Sequence, residues 1–482
     1  MAVIPLGATA LQPHAVIVGG GIAGLAAAYE LEQRRVPFLL FEARQRAGGV
    51  VFSESVDGGY HVDAGPDSLL TQKPEGVALC HELGLADRLI PTLPPRTAYI
   101  QRDHQLIALP AGSVLGIPTR LLPFAASKLF SWRGKVRMAG EIFVPPARTS
   151  DDESVGAFMR RRFGTEATTY LAEPLLAGIH AGDVERLSLG ALFPRLRDAE
   201  QSCGSVLRSL RRRSRARGLE DTPSGRASSE AAFRSLPGGL GELVDALVRS
   251  LPHDSLRLGA AVARIERAGG RFHVETESGI GVTTSAVVLA SPAFVTAGLV
   301  RGISPRLCSL CGQIPYASTA TVVFAFVREA VGHPLAGTGF VVPKVERTGI
   351  LAASWLSSKW AHRAPPGHVL VRAFIGGARD PQALDCSDEE LTERALAALR
   401  PLLVIRDAPL WARVYRWPRA NAQHEVGHHA RLAEIEAELA QHPGLYVTGS
   451  AYRGVGIPDC VADGRATARQ VTAWLSRPEV QP

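Results

Sequence analysis

Apolar positions along this chain change their period several times, and the changes mark its elements. The first apolar run, Val16-Ile17-Val18, ends at Gly19-Gly20-Gly21 and passes into the Ala-rich stretch Ile22 to Ala28. Such a pattern reads as a strand buried on both faces, a tight turn and a helix. Phe38-Leu39-Leu40-Phe41 supplies the next strand, closed by Glu42. Pro74 to Leu85 has helical spacing and breaks at Gly84, while alternation from Arg96 to Leu109 predicts a strand pair turning at Arg102-Asp103-His104. Asp151-Asp152-Glu153-Ser154 predicts a helix start, with acids at its positive end, running to Phe163. Another helix is expected from Leu236-Pro237-Gly238-Gly239-Leu240 to Leu251, then strands at 256–258, 262–266 and 272–275 and a buried parallel strand at Ala286 to Ala290. Thr319 to Val327 and Val369 to Ile375 read as strands of a second domain. Leu445 to Gly449 is again a buried strand, leading into Gly454-Val455-Gly456-Ile457-Pro458-Asp459 and a helix from about Cys460 to Leu475.

Nucleotide-type elements at both ends of 482 residues, with a long excursion between them, predict an α/β fold. The expected architecture is a discontinuous FAD/NAD(P)-binding, Rossmann-like domain (1–92, 236–300 and 420–482). It is joined to a mixed α+β substrate domain (93–109, 184–235 and 301–419) and a small helical insertion (110–183).

The chemistry is concentrated in the first turn. Gly19, Gly21 and Gly24 follow a strand and open a helix, and Glu42 comes 18 residues after Gly24. That spacing lets backbone approach a pyrophosphate at the helix N-terminus while the carboxylate accepts ribose hydroxyls. The negative charge of Glu42 opposes a 2′-phosphate, which favours FAD or NAD over NADP. Arg46 and the pair Gly48-Gly49 form a second close-approach turn in which the arginine can meet a phosphate or face solvent. No second Gly-x-Gly-x-x-Gly lies between a strand and a helix; Gly238-Gly239 opens a helix without a clear strand before it. A separate nicotinamide domain is therefore not expected, which points to an oxidase or desaturase.

Composition changes this picture little. Hydrophobic residues at 46% and charged residues at 21% are ordinary for a globular enzyme, and a net charge of +7 suits anionic substrates or lipid surfaces without arguing for nucleic acid. Six mostly scattered cysteines suggest a reduced, cytoplasmic setting; Cys308 and Cys311 form one Cys-x-x-Cys pair without the second pair a zinc site needs, so no metal is expected. Met1 to His14 lacks a signal-peptide pattern, and no stretch reaches the ~20 apolar residues of a membrane span. Residues 110–146 mix apolar residues with Lys128, Arg133, Lys135 and Arg137, which fits either a lipid-docking surface or a helical unit with a basic face. The arginine run from Arg208 to Arg217, leading into Thr222 to Ser229, reads as a solvated loop, and the adjacent His428 and His429 as surface residues.

Specific strings carry a further resemblance. Gly65-Pro66-Asp67-Ser68, Glu173-Pro174-Leu175-Leu176-Ala177-Gly178-Ile179, Pro237 to Leu240, Trp417 with Val426-Gly427-His428, and Gly454 to Cys460, together with the glycine turns, make the chain from His14 to Leu475 resemble the FAD-dependent protoporphyrinogen and coproporphyrinogen III oxidase family. This is a branch of the flavin amine oxidase superfamily, and the strings look closer to its soluble Gram-positive type. The resemblance implies FAD, dioxygen as acceptor, and oxidation of a tetrapyrrole porphyrinogen to the porphyrin in haem biosynthesis. The flavin carries the chemistry, and no side chain is expected as a catalytic acid or base. Val50, Gly65, Pro66, Asp67, Ser68, Val262, Trp417, Gly449, Ser450, Val455, Gly456 and Ile457 would then contact FAD, and Gly178 and Ile179 the macrocycle. Membrane-bound relatives place a propionate-pairing arginine where this chain has Ala98, so Lys73 is expected in that role, with Arg96 and Arg453 behind it. His424 stands where relatives usually carry tyrosine. Contact with the inner face of the membrane and with other haem-pathway enzymes stays open. The enzyme alternative is a flavin amine oxidase, which usually carries a lysine where this chain has Thr321. The remaining alternative is a non-catalytic flavin-binding protein that uses the arginine run to hold an anionic partner.

Overall fold

The computed structural model describes residues 13–110, 113–114, 117–118, 121–147, 152–216 and 231–478. Met1 to Gln12, Asp151, Arg217 and the Thr222 to Ser229 stretch lie outside the described residues.

Two sheets organise the chain. The first has five strands in the order Leu256–Arg257, Phe38–Phe41, Ala15–Val18, Ala286–Leu289 and Leu445–Val447. Every neighbouring pair is parallel. Ala15–Val18 and Ala286–Leu289 are buried along their whole length, as continuous apolar runs covered on both faces require. One face carries the first helix, Ile22–Gln33, and the last, Ile457–Leu475. These two helices approach so closely that a side chain at Gly464 would collide with the carbonyl of Ala23. The last helix begins three residues before the expected Cys460, because Gly456 caps it and Pro458 is tolerated in its first turn. Beside this sheet lies a three-stranded antiparallel one, Val262–Ala268, Arg271–Thr276 and Gly281–Thr284.

The second large sheet has seven strands in the order Trp411–Ala422, Tyr316–Val327, His368–Gly376, Ala352–Ser354, Gly339–Val341, Ala98–Arg102 and Gln105–Ala108. Its edge hairpin turns at Asp103 and His104, both with positive φ (50° and 59°), where the alternation breaks. The helix Asp388–Leu403 covers one face, and the helix Glu173–His180 packs on the other through Ala177 and Ala181.

A helical unit is held by an ionic core. The guanidinium of Arg162, fully buried, pairs with Glu141 and donates to the carbonyls of Val144 (2.8 Å) and Gly204 (2.9 Å). Three sequence readings are corrected by this packing. The arginine run is helical from Val206 to Ala216, because apolar Val206 and Leu207 are buried on one side while Arg208 and Arg212 remain exposed. A short strand, Phe233–Ser235, does precede Gly238-Gly239, pairing with Leu69–Leu70 and Ile90–Pro91. His428 is buried rather than on the surface, for the reason given below.

Candidate functional site

The glycines of the first turn divide into distinct duties. At Gly19, with φ of 109°, an added Cβ would meet the Ala290 carbonyl at 2.8 Å, and at Gly24 it would collide with the Gly19 carbonyl. Both are glycine because protein backbone fills the space. Gly21, at the N-cap of the first helix, would meet nothing within 4 Å. It opens onto a free cradle at a helix N-terminus, the arrangement that admits a pyrophosphate. Gly48 bridges back onto this turn, its N–H donating to the Gly20 carbonyl at 2.8 Å, and Gly49 lies close enough that a Cβ would meet Gly21 Cα at 3.2 Å.

Glu42 is buried at the end of its strand. Its carboxylate accepts the N–H groups of Gly20 (2.6 Å) and Arg44 (2.9 Å), which orients it beside the glycine turn with lone pairs left over for hydroxyl donors. The Glu42 carbonyl accepts the Ala260 N–H at 2.9 Å, and so brings Val262, two residues on, to the same end. Arg46 is half-buried over the Phe52 ring at 4.4 Å and donates to the Ala47 carbonyl (3.3 Å). Burial, with Arg44 beside it, lowers its pKa, and it has no ion-pair partner among the described residues. A desolvated, unmatched guanidinium beside an open helix end is the electrostatic complement of a phosphate.

The second half of the cradle is assembled from distant segments. Gly65 packs against the Val50 carbonyl, with which any side chain would collide, and lies 3.8 Å from the Trp417 ring measured from the same added Cβ. Trp417, buried, donates through Nε1 to the Ala64 carbonyl (3.1 Å), and Thr321 Oγ1 donates to the same oxygen (2.9 Å). Val50 is 39% exposed, a large apolar side chain with open space before it. On the far side, Thr448 and Gly449 are tied through Oγ1 and N–H to Asp463 (2.7 and 3.1 Å). Val455 and Gly456 then lead into the last helix, whose end is capped by Asp459.

Asp67 has a structural task. Buried beneath the Gly65 turn, it accepts from Lys359 Nζ (2.9 and 3.0 Å), Arg372 Nη2 (3.2 Å) and Ser68 Oγ (3.0 Å). Burial would raise its pKa, but the Lys359 and Arg372 charges outweigh that and hold it well below the usual carboxylate range. Arg372 also donates to the carbonyls of Asp63 (2.5 Å) and Gly65 (2.7 Å), so one side chain of the seven-stranded sheet clamps the turn. Sequence reasoning missed Arg372 and Lys359. The available signal was a lone arginine inside the apolar run Val369-Leu370-Val371-Arg372-Ala373-Phe374-Ile375.

The expected substrate cations are dispersed. Lys73 is exposed and pairs with both oxygens of Asp459 (2.6 Å), at the mouth of the last helix. Arg96 is exposed and donates to the Thr92 carbonyl (3.1 Å). Arg453 is committed to Asp463 (3.0 Å) and Glu436 (2.9 Å), a pairing that turns its guanidinium to the back of the Gly449 turn. Gly178 faces the sheet, where a Cβ would meet Val341 at 3.1 Å, while Ile179 beside it is 65% exposed. His180, at the end of the same helix, has its pKa lowered to about 4 by burial and by Lys73, so it is neutral near pH 7.

His424 and His428 stack face to face, with centroids 3.8 Å apart and planes 10° from parallel. The Nε2 of His424 bonds to the Ser450 carbonyl (2.9 Å) and that of His428 to the Tyr452 carbonyl (2.8 Å). Two adjacent histidines would diverge on a strand, but His428 opens the helix His428–Leu439 directly after the turn at Val426 and Gly427, where Gly427 has φ of 87°, and this turn brings its ring back onto His424.

The model of the flavin-containing amine oxidoreductases matches residues 22–472. A coproporphyrinogen III oxidase of Bacillus subtilis (strain 168) is 34% identical over 472 residues, covering 96% of this chain and 99% of the relative. One of Staphylococcus aureus is 31% identical, covering 95% and 99%. A solved structure from Exiguobacterium sp. 255-15, provisionally assigned as a protoporphyrinogen oxidase, superposes with a TM-score of 0.84 at 32% identity, over 97% of this chain and 99% of that one. With a match across nearly its whole length and a dinucleotide cradle whose glycine turns follow the carboxyl ends of the parallel strands Ala15–Val18 and Leu445–Val447, this chain belongs to the family of flavin-containing amine oxidoreductases.

Proposed function

We propose that the chain is an FAD-dependent porphyrinogen oxidase of haem biosynthesis, taking coproporphyrinogen III in preference to protoporphyrinogen IX, with dioxygen as the electron acceptor. The observation that carries this reading is the end-to-end similarity to coproporphyrinogen III oxidases at 34% and 31% identity. The cofactor is FAD, and when bound it supplies the hydride acceptor.

The residues have separable tasks in this reading. Gly21 leaves room for the pyrophosphate, Arg46 neutralises it, and Glu42 accepts the ribose hydroxyls. The N-terminus of the helix Ile457–Leu475 directs its positive end at the opposite terminus of the cofactor and favours negative charge there. The parallel sheet carries the cofactor, and the seven-stranded sheet with the helix Glu173–His180 carries the macrocycle. Ile179 offers an apolar contact, and Lys73 and Arg96, both exposed, are the cations able to turn toward propionates. Arg453, already doubly paired, is the weaker candidate. Thr321 is bound to Ala64 where the amine-oxidising alternative would use a lysine.

Anaerobic mixing with each porphyrinogen, followed by flavin absorbance, tests the reading. Bleaching faster with coproporphyrinogen III is expected. No bleaching by either, together with peroxide release from polyamines, would overturn it.

The same reading takes the enzyme to be cytoplasmic, resting on the inner face of the membrane. No helix among the described residues is long and apolar enough to cross a membrane. Trp132 and Val136, four residues apart on the helix Trp132–Ala139, are 75% and 67% exposed, and Phe143 just beyond is 80% exposed. With Lys128, Arg133 and Lys135 around them, these side chains fit an anionic interface. Salt-sensitive pelleting with anionic vesicles that is lost in Trp132→Ser is the expected result; no pelleting at low salt would refute it.

A further inference from the structure

The cation expected to receive a substrate carboxylate already holds one. Lys73 Nζ lies 2.6 Å from both oxygens of Asp459, 386 residues away in the chain. The pair is open to a ligand, with the lysine side chain 47% exposed and the aspartate 23%. Packing behind it fixes the encounter. The helix Glu75–Glu82 begins two residues after Lys73, and a side chain at its Gly76 would meet Pro458 at 3.4 Å, so this helix start abuts the start of Ile457–Leu475. The backbone of Lys73 is tied as well, its N–H donating to the Leu70 carbonyl at 3.2 Å.

Asp459 has little freedom. An added Cβ at Gly454 would lie 2.6 Å from Asp459 Cβ, and one at Gly456 would lie 3.0 Å from its Oδ2, so the glycine loop wraps closely around this side chain. Oδ2 also accepts the Gly456 N–H at 3.3 Å. The aspartate is short and packed, while the lysine has a flexible four-carbon stem, so any exchange of partners is made by the lysine.

The surroundings put the pair on the substrate side. His180 closes the helix that carries Gly178 and Ile179, and its pKa is lowered to about 4 by burial and then by the charge of Lys73, which places the ammonium near that helix end. A ligand carboxylate reaching Lys73 therefore meets Asp459. It either displaces the aspartate, which loses the existing pair, or sits beside it, which brings two negative charges within a few ångströms of each other. Both weaken the ligand's hold.

Such weakening has a use in the reaction proposed above, on which this step rests. Oxidation alters the macrocycle and leaves its carboxylates as they were, so an anchor at the carboxylates binds product as tightly as substrate and does nothing for the chemical step. We infer that Asp459 is a positioning residue, an internal competitor that keeps Lys73 from holding tetrapyrrole carboxylates too tightly and so speeds product release.

Equilibrium binding and stopped-flow release of coproporphyrin III from the FAD-loaded chain test this in the parent, Asp459→Asn, Lys73→Gln and the double variant. Asparagine keeps an oxygen for the Gly456 N–H and removes the charge. Asp459→Asn should tighten binding about fivefold, chiefly through slower release. Lys73→Gln should weaken binding about tenfold. In the Lys73→Gln background the gain from Asp459→Asn should fall below about twofold, since no ligand carboxylate is drawn there. Binding that is unchanged or weaker in Asp459→Asn, tightening that persists without Lys73, or a Lys73→Gln variant that binds like its parent would each overturn the inference. Anaerobic bleaching of the parent by coproporphyrinogen III tests the proposed function separately: bleaching without the coupling refutes only the role of Asp459, and the coupling without bleaching refutes only the oxidase.

Discussion

Replacing Asp67 with asparagine should separate a structural carboxylate from a cofactor contact. In the folded chain Asp67 faces Lys359 at 2.9 Å and Arg372 at 3.2 Å, all three buried or nearly so. Asparagine keeps the shape but removes the charge and points an amide at one cation or the other. Breaking a buried pair in this way costs about 3–5 kcal/mol, because the partners stay desolvated and uncompensated. That is a large share of the roughly 5–15 kcal/mol that holds a domain folded. The assay is urea unfolding of the FAD-free chain, repeated with saturating FAD. The loss should be present without FAD, and the double variant Asp67→Asn/Arg372→Met should lose less than the sum of the two single changes, since methionine removes one orphaned charge. The pH dependence has a fixed sign. Because the folded pKa of Asp67 is depressed, its stabilisation is full above the ordinary carboxylate pKa and is lost as pH falls below about 4 toward the folded value. Asp67→Asn should therefore flatten the acid limb of stability. An FAD-free variant as stable as its parent, with weakened FAD binding, would refute this reasoning and make Asp67 a direct cofactor ligand.

Glycine substitutions give a contrasting pair. Gly21→Val should leave the FAD-free chain within ~0.5 kcal/mol of its parent, since nothing lies within 4 Å, yet lower FAD affinity about 100-fold, measured by flavin fluorescence. Gly65→Ala should destabilise the FAD-free chain itself by about 1–3 kcal/mol through its collision with the Val50 carbonyl, read from the urea midpoint. His424 provides a pH test: burial, then the charges of His428, His180 and His429, lower its pKa from 6.5 to about 3. Its depressed folded value means that no stability is lost above 6.5 and that loss accumulates as pH falls from 6.5 toward 3. At pH 5 this amounts to about 2 kcal/mol, and His424→Gln should remove most of it in urea unfolding at about pH 7.5 and 5.

Much of the cofactor half was legible in the chain. Buried parallel strands announce themselves as unbroken apolar runs, and the duties of Gly19, Gly21 and Gly24 follow from spacing because all three act within one strand-turn-helix unit. The last helix and its glycine turn were readable for the same reason. Position 424 was singled out from the sequence, but its partner was not: stacking on His428 needs a turn whose direction depends on Tyr452 and Ser450 behind it.

What the sequence determined by itself is the first half of a dinucleotide cradle, the glycine turn with Glu42, whose parts are local in the chain, with a family resemblance that names its cofactor. Only the tertiary structure decided which charges are free. Lys73, Arg453, Arg372 and Lys344 look alike along the chain, yet Lys73 and Arg453 meet carboxylates 386 and 10 residues away, Arg372 clamps a turn 305 residues away, and Lys344 forms no ion pair among the described residues. An ion pair forms over a few ångströms regardless of sequence separation, so the state of each cation is set by the packing of sheets and helices around it.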